Sequence, residues 1–390
     1  MKYLKWLFGF LLLLIVFAYI TDYNYIFKGV RVVYLTGHTT AFIADAKYFE
    51  NDTIPASANP QAWPLHKNYN TLIETERLKT TNEDLGTVAL LVIKNDSILF
   101  EKYAEGYSAT SRTNSFSMAK SITTILLGAA IKDGYISSLN QPVRDFYPQF
   151  EPERYEFEIR TLTKDKVPYM TVGDLSSMAS GLNWEESYTS PFSVTARSYY
   201  DDNLAETILG LKVIQEPGKH FEYLSGNTQL LGMTIEKATN KKIAAYLQES
   251  LYEPMGFEQP ATWQVDDAEN RLAKTYCCIA SSARDFARFG RLFKNFGNWN
   301  GQQIIDSSFV AKAIKPRFEN SPEYGYGFWI SNYMDKDIFV MRGILGQYVI
   351  TIPEDNLIIV RLGHQRGSKK GKPFSDDFYT YVSEVFKMLK

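Results

Sequence analysis

The first apolar run differs from every other in the chain. Residues 6–20 read WLFGFLLLLIVFAYI, fifteen positions without a charge or a strongly polar side chain, and they follow Lys2 and Lys5. A basic start and an all-apolar stretch make a secretory signal or a membrane anchor; a helix packed on a soluble core would show one polar face. The next residues are Thr21-Asp22-Tyr23-Asn24-Tyr25, with no small-residue cleavage site and no Cys to carry a lipid. As a helix the run spans ~22 Å, and Tyr3, Leu4 and a snorkelling Lys5 bring it towards the ~30 Å of a hydrocarbon core. The favoured reading is an uncleaved N-terminal transmembrane helix within 1–22, with Lys2 and Lys5 on the cytoplasmic side. The catalytic part then lies outside the cytoplasmic membrane, periplasmic or otherwise extracytoplasmic; a cleaved signal would make the protein secreted.

Beyond it the pattern becomes mixed. Residues 23–83 are rich in Tyr, Phe and Val, then carry Pro55, Pro60 and Pro64 among polar positions. They read as a membrane-proximal arm with an extended connection over 51–68 and a short helix at 70–80. Two apolar runs, 87–94 and 97–103, flank Asn95-Asp96 and predict a β-hairpin. Residues 122–133 predict a buried helix ended by Gly134, and 227–238 and 242–251 predict further helices. Phe286, Phe289, Leu292 and Phe293 recur at helical spacing, so 282–297 is amphipathic. Strands are expected at 325–331, 338–341, 346–352 and 357–362, then a closing helix at 375–389. Strands at both ends with helices between predict an α/β fold. Its antiparallel sheet, flanked by helices, is completed from both ends of the chain, with an inserted, mostly helical lobe at about 135–280. Residues 84–390 would form this one domain, with a small-molecule cleft between the lobes.

Composition removes other classes. Charged residues are 22% of 390 and the net charge is −2, which gives no electrostatic case for nucleic acid. The two Cys are adjacent, at 277 and 278, so neither a disulfide framework nor a cysteine-built zinc site is available. The four His show no metal-ligand spacing. No metal or cofactor is expected, and the partners expected are a small-molecule substrate and the membrane.

Ser117-Met118-Ala119-Lys120 is the candidate chemistry. Ser and Lys three apart at a helix start share a face, and the free N–H groups there favour an oxyanion. A lysine serves as general base when burial lowers its ordinary ~10.4 towards ~7–8. With 27 Ser and 27 Lys, chance alone supplies such a tetrapeptide. What raises it is its place, on the polar loop entering the most apolar helix after the N-terminal run. Tyr223-Leu224-Ser225-Gly226-Asn227 offers a phenol as proton shuttle, and Gly343-Ile344-Leu345-Gly346-Gln347 offers a glycine-opened strand that can lend a backbone N–H to a ligand. No GxSxG elbow occurs, which excludes an α/β-hydrolase triad.

SxxK, then the Tyr motif, then the Gly-flanked strand, in this order, resemble the serine β-lactamase and penicillin-binding superfamily. Residues 171–185, 253–256, 282–290 and 324–329 add to the likeness, which runs over about 84–388. The chain looks like the class C β-lactamase-related serine hydrolases, nearest the 6-aminohexanoate-dimer hydrolase and esterase branch. The resemblance implies a β-lactamase/transpeptidase-like fold with Ser117 as acylated nucleophile, Lys120 as its base and Tyr223 as proton relay. It implies an oxyanion hole from the N–H groups of Ser117 and Gln347, beside Gly346, a cleft wall at Trp184, and substrate contacts at Ser225 and Asn227. Two departures stand out. Ser225 occupies the place of an Asn, and Ile344-Leu345-Gly346 replaces Lys-Thr-Gly, the usual partner of a substrate carboxylate. The expected activity is therefore ester or small-amide hydrolysis. The alternatives are a D,D-peptidase (penicillin-binding protein) acting on peptidoglycan peptides and a non-catalytic protein that binds wall fragments.

Overall fold

The computed structural model describes residues 2–157 and 168–390, so 158–167 of the expected helical lobe lie outside the described residues. In chain order the helices are α1 (Lys2–Ile20), α2 (Tyr25–Val32), α3 (Glu76–Asp84), α4 (Met118–Lys132), α5 (Val172–Ser176), α6 (Val194–Tyr200), α7 (Leu204–Leu209), α8 (Ser225–Thr239), α9 (Ile243–Leu247), α10 (Ala283–Lys294), α11 (Ser307–Ala313) and α12 (Asp376–Met388). The strands are β1 (Asn51–Ile54), β2 (Thr87–Lys94), β3 (Ser97–Tyr103), β4 (Thr113–Asn114), β5 (Ala261–Gln264), β6 (Ile279–Ser281), β7 (Asn298–Trp299), β8 (Gln302–Gln303), β9 (Trp329–Ser331), β10 (Ile338–Gly343), β11 (Gln347–Ile352) and β12 (Leu357–Gly363). None of α1 is buried, and by length and composition it is a candidate membrane span or signal sequence. Its 19 residues rise ~28 Å.

The large sheet is antiparallel, in the order β3-β2-β12-β11-β10-β9, so the hairpin near the start and the strands near the end do share one sheet. The hairpin turns at Asn95 and Asp96, both with positive φ, as a two-residue type I′ turn requires. Its strands are apolar at consecutive positions because both faces are covered. Leu91 and Ile93 join the core that holds Ile122 of α4 and Phe286 and Phe289 of α10. Leu90 and Val92 join the core that holds Phe378, Val382 and Val385 of α12. The expected strand at 325–331 is shortened to β9, because Gly327 takes φ 78° against Thr124 and breaks the extended backbone. The short helix expected at 70–80 starts later, at the Thr75 cap, whose hydroxyl accepts from the Leu78 N–H.

The lobe over 135–280 also contributes strands. β5 and β6 lie in a second antiparallel sheet, β1-β5-β6-β4, and its edge β1 comes from the stretch expected to be a plain extended connection. Ile54 and Trp63 are buried there, and the Trp63 indole donates to the Arg284 carbonyl at 2.9 Å. The Pro-containing stretch is thus pinned to the domain as part of a sheet.

Lys274 lies fully buried where the lobe meets this stretch. Its Nζ donates to the Tyr199 carbonyl and sits 5.0 Å from the Phe49 ring centre. Burial pushes its ammonium down to about 7; Lys28 adds to the effect, while Asp266, Asp202 and Asp45 oppose it. The unfolded chain then holds more protons between pH ~7 and ~10, so stability rises with pH across that window. Below pH ~7 both states are protonated and the cost of burial remains in full. From pH 7 to 9 this group should add roughly 2 kcal/mol to the unfolding free energy. Lys274→Met keeps the apolar stem and should remove that rise. Denaturant titrations at the two pH values check it, and an unchanged slope in the variant would refute the assignment.

Candidate active site

After β4 the chain turns at Phe116, whose φ of 45° is strained for a bulky side chain. The turn delivers Ser117 to the N-cap of α4 without spending its hydroxyl on the cap. Lys120 lies one turn on, 2% exposed, and its Nζ donates to Ser117 Oγ at 3.1 Å. It donates also to Ser225 Oγ at 3.0 Å and to the Tyr276 carbonyl at 2.9 Å. Three acceptors match the three donors of an ammonium, so this buried group is fully satisfied. The rings of Tyr223 and Tyr276 face the same nitrogen, at 5.1 and 5.5 Å from their centres.

Ser225 opens α8 and carries the network outward. Its hydroxyl donates to Glu186 Oε1 at 2.7 Å and its N–H to Glu186 Oε2 at 2.6 Å. The Trp184 indole donates to the same carboxylate at 2.8 Å, and the Tyr188 hydroxyl donates to Oε1. Four donors therefore converge on Glu186, and Ser225 Oγ links that carboxylate to Lys120. Sequence reasoning missed Glu186, two positions beyond Trp184. The only signal was a pair of acidic residues following a tryptophan.

The nucleophile faces a cavity of about 90 Å³ lined by Phe116, Tyr188, Tyr199, Tyr276, Cys277 and Ile344 among others, with no Lys or Arg among the described residues of its wall. Ile344 follows Gly343, which approaches the nucleophile loop so closely that a Cβ would stand 2.3 Å from the Ser115 carbonyl oxygen. The N–H groups of Ser117 and Ile344 have no intramolecular acceptor among the described residues.

The structure places the other expected site residues as follows. Tyr223 reaches Lys120 through its ring, held between Trp329 and Tyr324, whose ring centres lie 5.2 and 5.9 Å away. Trp184 is buried behind Glu186 and packs on Gly226 and Tyr276, so it backs the carboxylate without lining the cavity. Asn227 points into the lobe, where its amide meets Ser180 Oγ and Met178 Sδ, and it does not reach Ser117. Gly346 and Gln347 do not line the cavity. The Gln347 side chain is fully buried, donating to Gly363 O at 2.7 Å and accepting from Gly363 N–H at 3.1 Å. Leu345 turns the backbone with φ 61°, and buried Arg361 draws the Leu345 and Gly346 carbonyls to 2.8 and 2.9 Å on its side. Of this turn, Ile344 is the residue that lines the cavity.

Cys277 and Cys278 are bonded to each other through their sulfurs, directly after the Tyr276 carbonyl that holds Lys120. Among the described residues no group of three His, Cys, Asp or Glu side chains is placed to hold a metal ion.

A family model described as Beta-lactamase matches residues 73–379. The chain belongs to this beta-lactamase family. Among curated relatives of this beta-lactamase-family chain, the 6-aminohexanoate-dimer hydrolase of Paenarthrobacter ureafaciens is 25% identical over 242 residues, 60% of this chain and 58% of the relative. Protein flp of Staphylococcus aureus (strain NCTC 8325 / PS 47) is 25% identical over 176 residues, 43% of this chain and 33% of that protein. The chain thus spans less than two thirds of the length of the curated relatives it matches. Among solved structures, a Bacillus anthracis protein provisionally described as a 6-aminohexanoate-dimer hydrolase superposes with TM-score 0.71 at 20% identity, covering 88% of this chain and 91% of that one. A penicillin-binding protein from Bacillus halodurans gives TM-score 0.60 at 15% identity, over 80% of this chain and 100% of that one. At these identities the structures establish the fold: antiparallel sheets flanked by helices.

Proposed function

We propose that the chain hydrolyses esters or small amides through an acyl-Ser117 intermediate. The observation that carries this reading is the 3.1 Å contact between Lys120 Nζ and a Ser117 hydroxyl left uncommitted at a helix N-terminus. Lys120 acts in its neutral amine form, reached by release of one proton to solvent, and accepts the Ser117 proton as Oγ bonds the acyl carbon. The carbonyl electrons move onto oxygen, between the free N–H groups of Ser117 and Ile344. One such donor commonly contributes ~10²–10³ in rate. The bond to the alcohol or amine then breaks, and the leaving group takes a proton passed on from Lys120 beside Tyr223. Water repeats the steps in reverse and frees the acid. A cavity wall whose described residues include no Lys or Arg suits substrates that carry no carboxylate at that point and favours esters over β-lactams.

A fluorophosphonate probe should label the protein once, on the peptide that carries Ser117, and Ser117→Ala should abolish the adduct in peptide mass spectra. Label on another serine, or undiminished labelling of the variant, would overturn the assignment. A site that only binds wall fragments should take no label.

A further inference from the structure

Beyond Tyr188 and Tyr200 the cavity at Ser117 has a neighbour. A second cavity of about 260 Å³ adjoins it and shares Thr40, Tyr188, Ala196 and Tyr200 as walls. Its far side is α2 and its C-cap, through Ile26, Gly29, Val30 and Val33, so the trough runs between α2 and the 188–200 segment. Gly29 makes the room: its Cα carries nothing, and a Cβ there would only touch the Tyr200 ring at 3.4 Å.

α2 is held in that position by specific contacts. Arg197 pairs with Asp22 at 2.5 Å, Lys28 with Asp202 at 2.6 Å, and the Tyr25 hydroxyl donates to the Pro191 carbonyl at 2.9 Å. Tyr23 packs edge-on against Phe192 with ring centres 5.6 Å apart. The trough therefore opens a few residues from the end of the apolar helix α1. Val30 and Tyr34, which line it, stand exposed, and so do Phe27, Leu35 and Phe192, each a chain neighbour of a lining residue. Apolar and aromatic side chains exposed beside a candidate membrane helix are what an interface with lipid requires.

We infer that this trough holds the aliphatic acyl chain of an amphiphilic ester whose carbonyl is attacked by Ser117. The inference rests on the reading of Ser117 as nucleophile and names its substrate class. Tyr223 lines neither cavity, so with the leaving group on its side, as the proposed mechanism has it, the acyl side is left for the trough. Each methylene that leaves water for an apolar wall should raise kcat/KM about threefold, until the trough is full.

The test uses the full chain in detergent micelles with 4-nitrophenyl acetate, butyrate, octanoate and decanoate. The ratio of octanoate to acetate kcat/KM should reach about 700 if all six added methylenes enter the trough, and at least about 30 if only three do. Gly29→Phe fills the trough and should bring that ratio close to one. Val30→Glu, at an exposed position that tolerates a charge, should lower it at least tenfold. A wild-type profile that is flat or falls beyond butyrate would overturn the inference, and so would a ratio indifferent to both variants. In either case turnover of acetate and labelling of Ser117 would persist. If no ester of any length turns over and Ser117 takes no label, the proposed hydrolysis itself has failed.

Discussion

Replacing Lys120 by Met should lower kcat/KM on 4-nitrophenyl acetate by about 10²–10⁴-fold, the usual contribution of a positioned general base. Met keeps the length and apolar stem of a side chain that is 2% exposed, so the wall of α4 stays filled. It leaves Ser225 Oγ and the Tyr276 carbonyl short of a donor, at about 1–3 kcal/mol for each buried group left unmatched, and the variant should melt lower without unfolding. Loss of activity alone would not separate a base from a charge that merely organises the site. Lys120→Arg makes that distinction. A guanidinium keeps the positive charge and does not give up its proton in a protein. If Lys120 accepts the Ser117 proton, the Arg variant should be as inactive as the Met variant, and the fluorophosphonate reaction should slow in parallel. An Arg variant within tenfold of wild type would show that only the charge matters.

Ser117 and Lys120 were legible as a pair because three residues at a helix start bring two side chains together by local geometry alone, and one observed hydrogen bond expresses that spacing. Most of the large sheet was legible for a similar reason. Strands buried on both faces must be apolar at consecutive positions, and the hairpin turn carries its own left-handed residues. What escaped depends on contacts between distant segments. The strand Asn51–Ile54 is short, polar at three of its four positions and followed by proline, and it is a strand only because β5 pairs with it. The second oxyanion donor was assigned to Gln347 from motif register. In the structure Leu345 takes φ 61°, Arg361 holds the Leu345 and Gly346 carbonyls, and Ile344 is the residue of this turn that lines the cavity. Asn227 lies two residues beyond Ser225 on the same helix, and two residues is about 200° of turn, so the side chains face opposite ways. The trough beside α2 was invisible because its walls come from residues that read separately as an arm and a loop.

Glu186→Gln should lower kcat on a short ester by about 10–100-fold while leaving KM within a few fold, because Glu186 does not itself line the cavity and acts through Ser225. The ionised carboxylate is a pure acceptor, and four donors from Ser225, Trp184 and Tyr188 use it. An amide in its place presents N–H groups to at least one of those donors. The hydroxyl of Ser225 is the one free to turn. Once it no longer donates to residue 186, its lone pairs are no longer aimed at Lys120 Nζ, 3.0 Å away, and the ammonium loses a defined position against Ser117. A purely structural role would predict something else: a lower melting temperature with kcat intact in the fraction that stays folded. The decisive measurement is a double-mutant cycle with Ser225→Ala. If Glu186 works by orienting Ser225, either single substitution removes the same function, and Glu186→Gln in the Ser225→Ala background should cost no more than about twofold. Independent effects that multiply in the double variant would mean that Glu186 serves the reaction by another route, and that the chain of contacts from Lys120 through Ser225 to Glu186 is scaffolding.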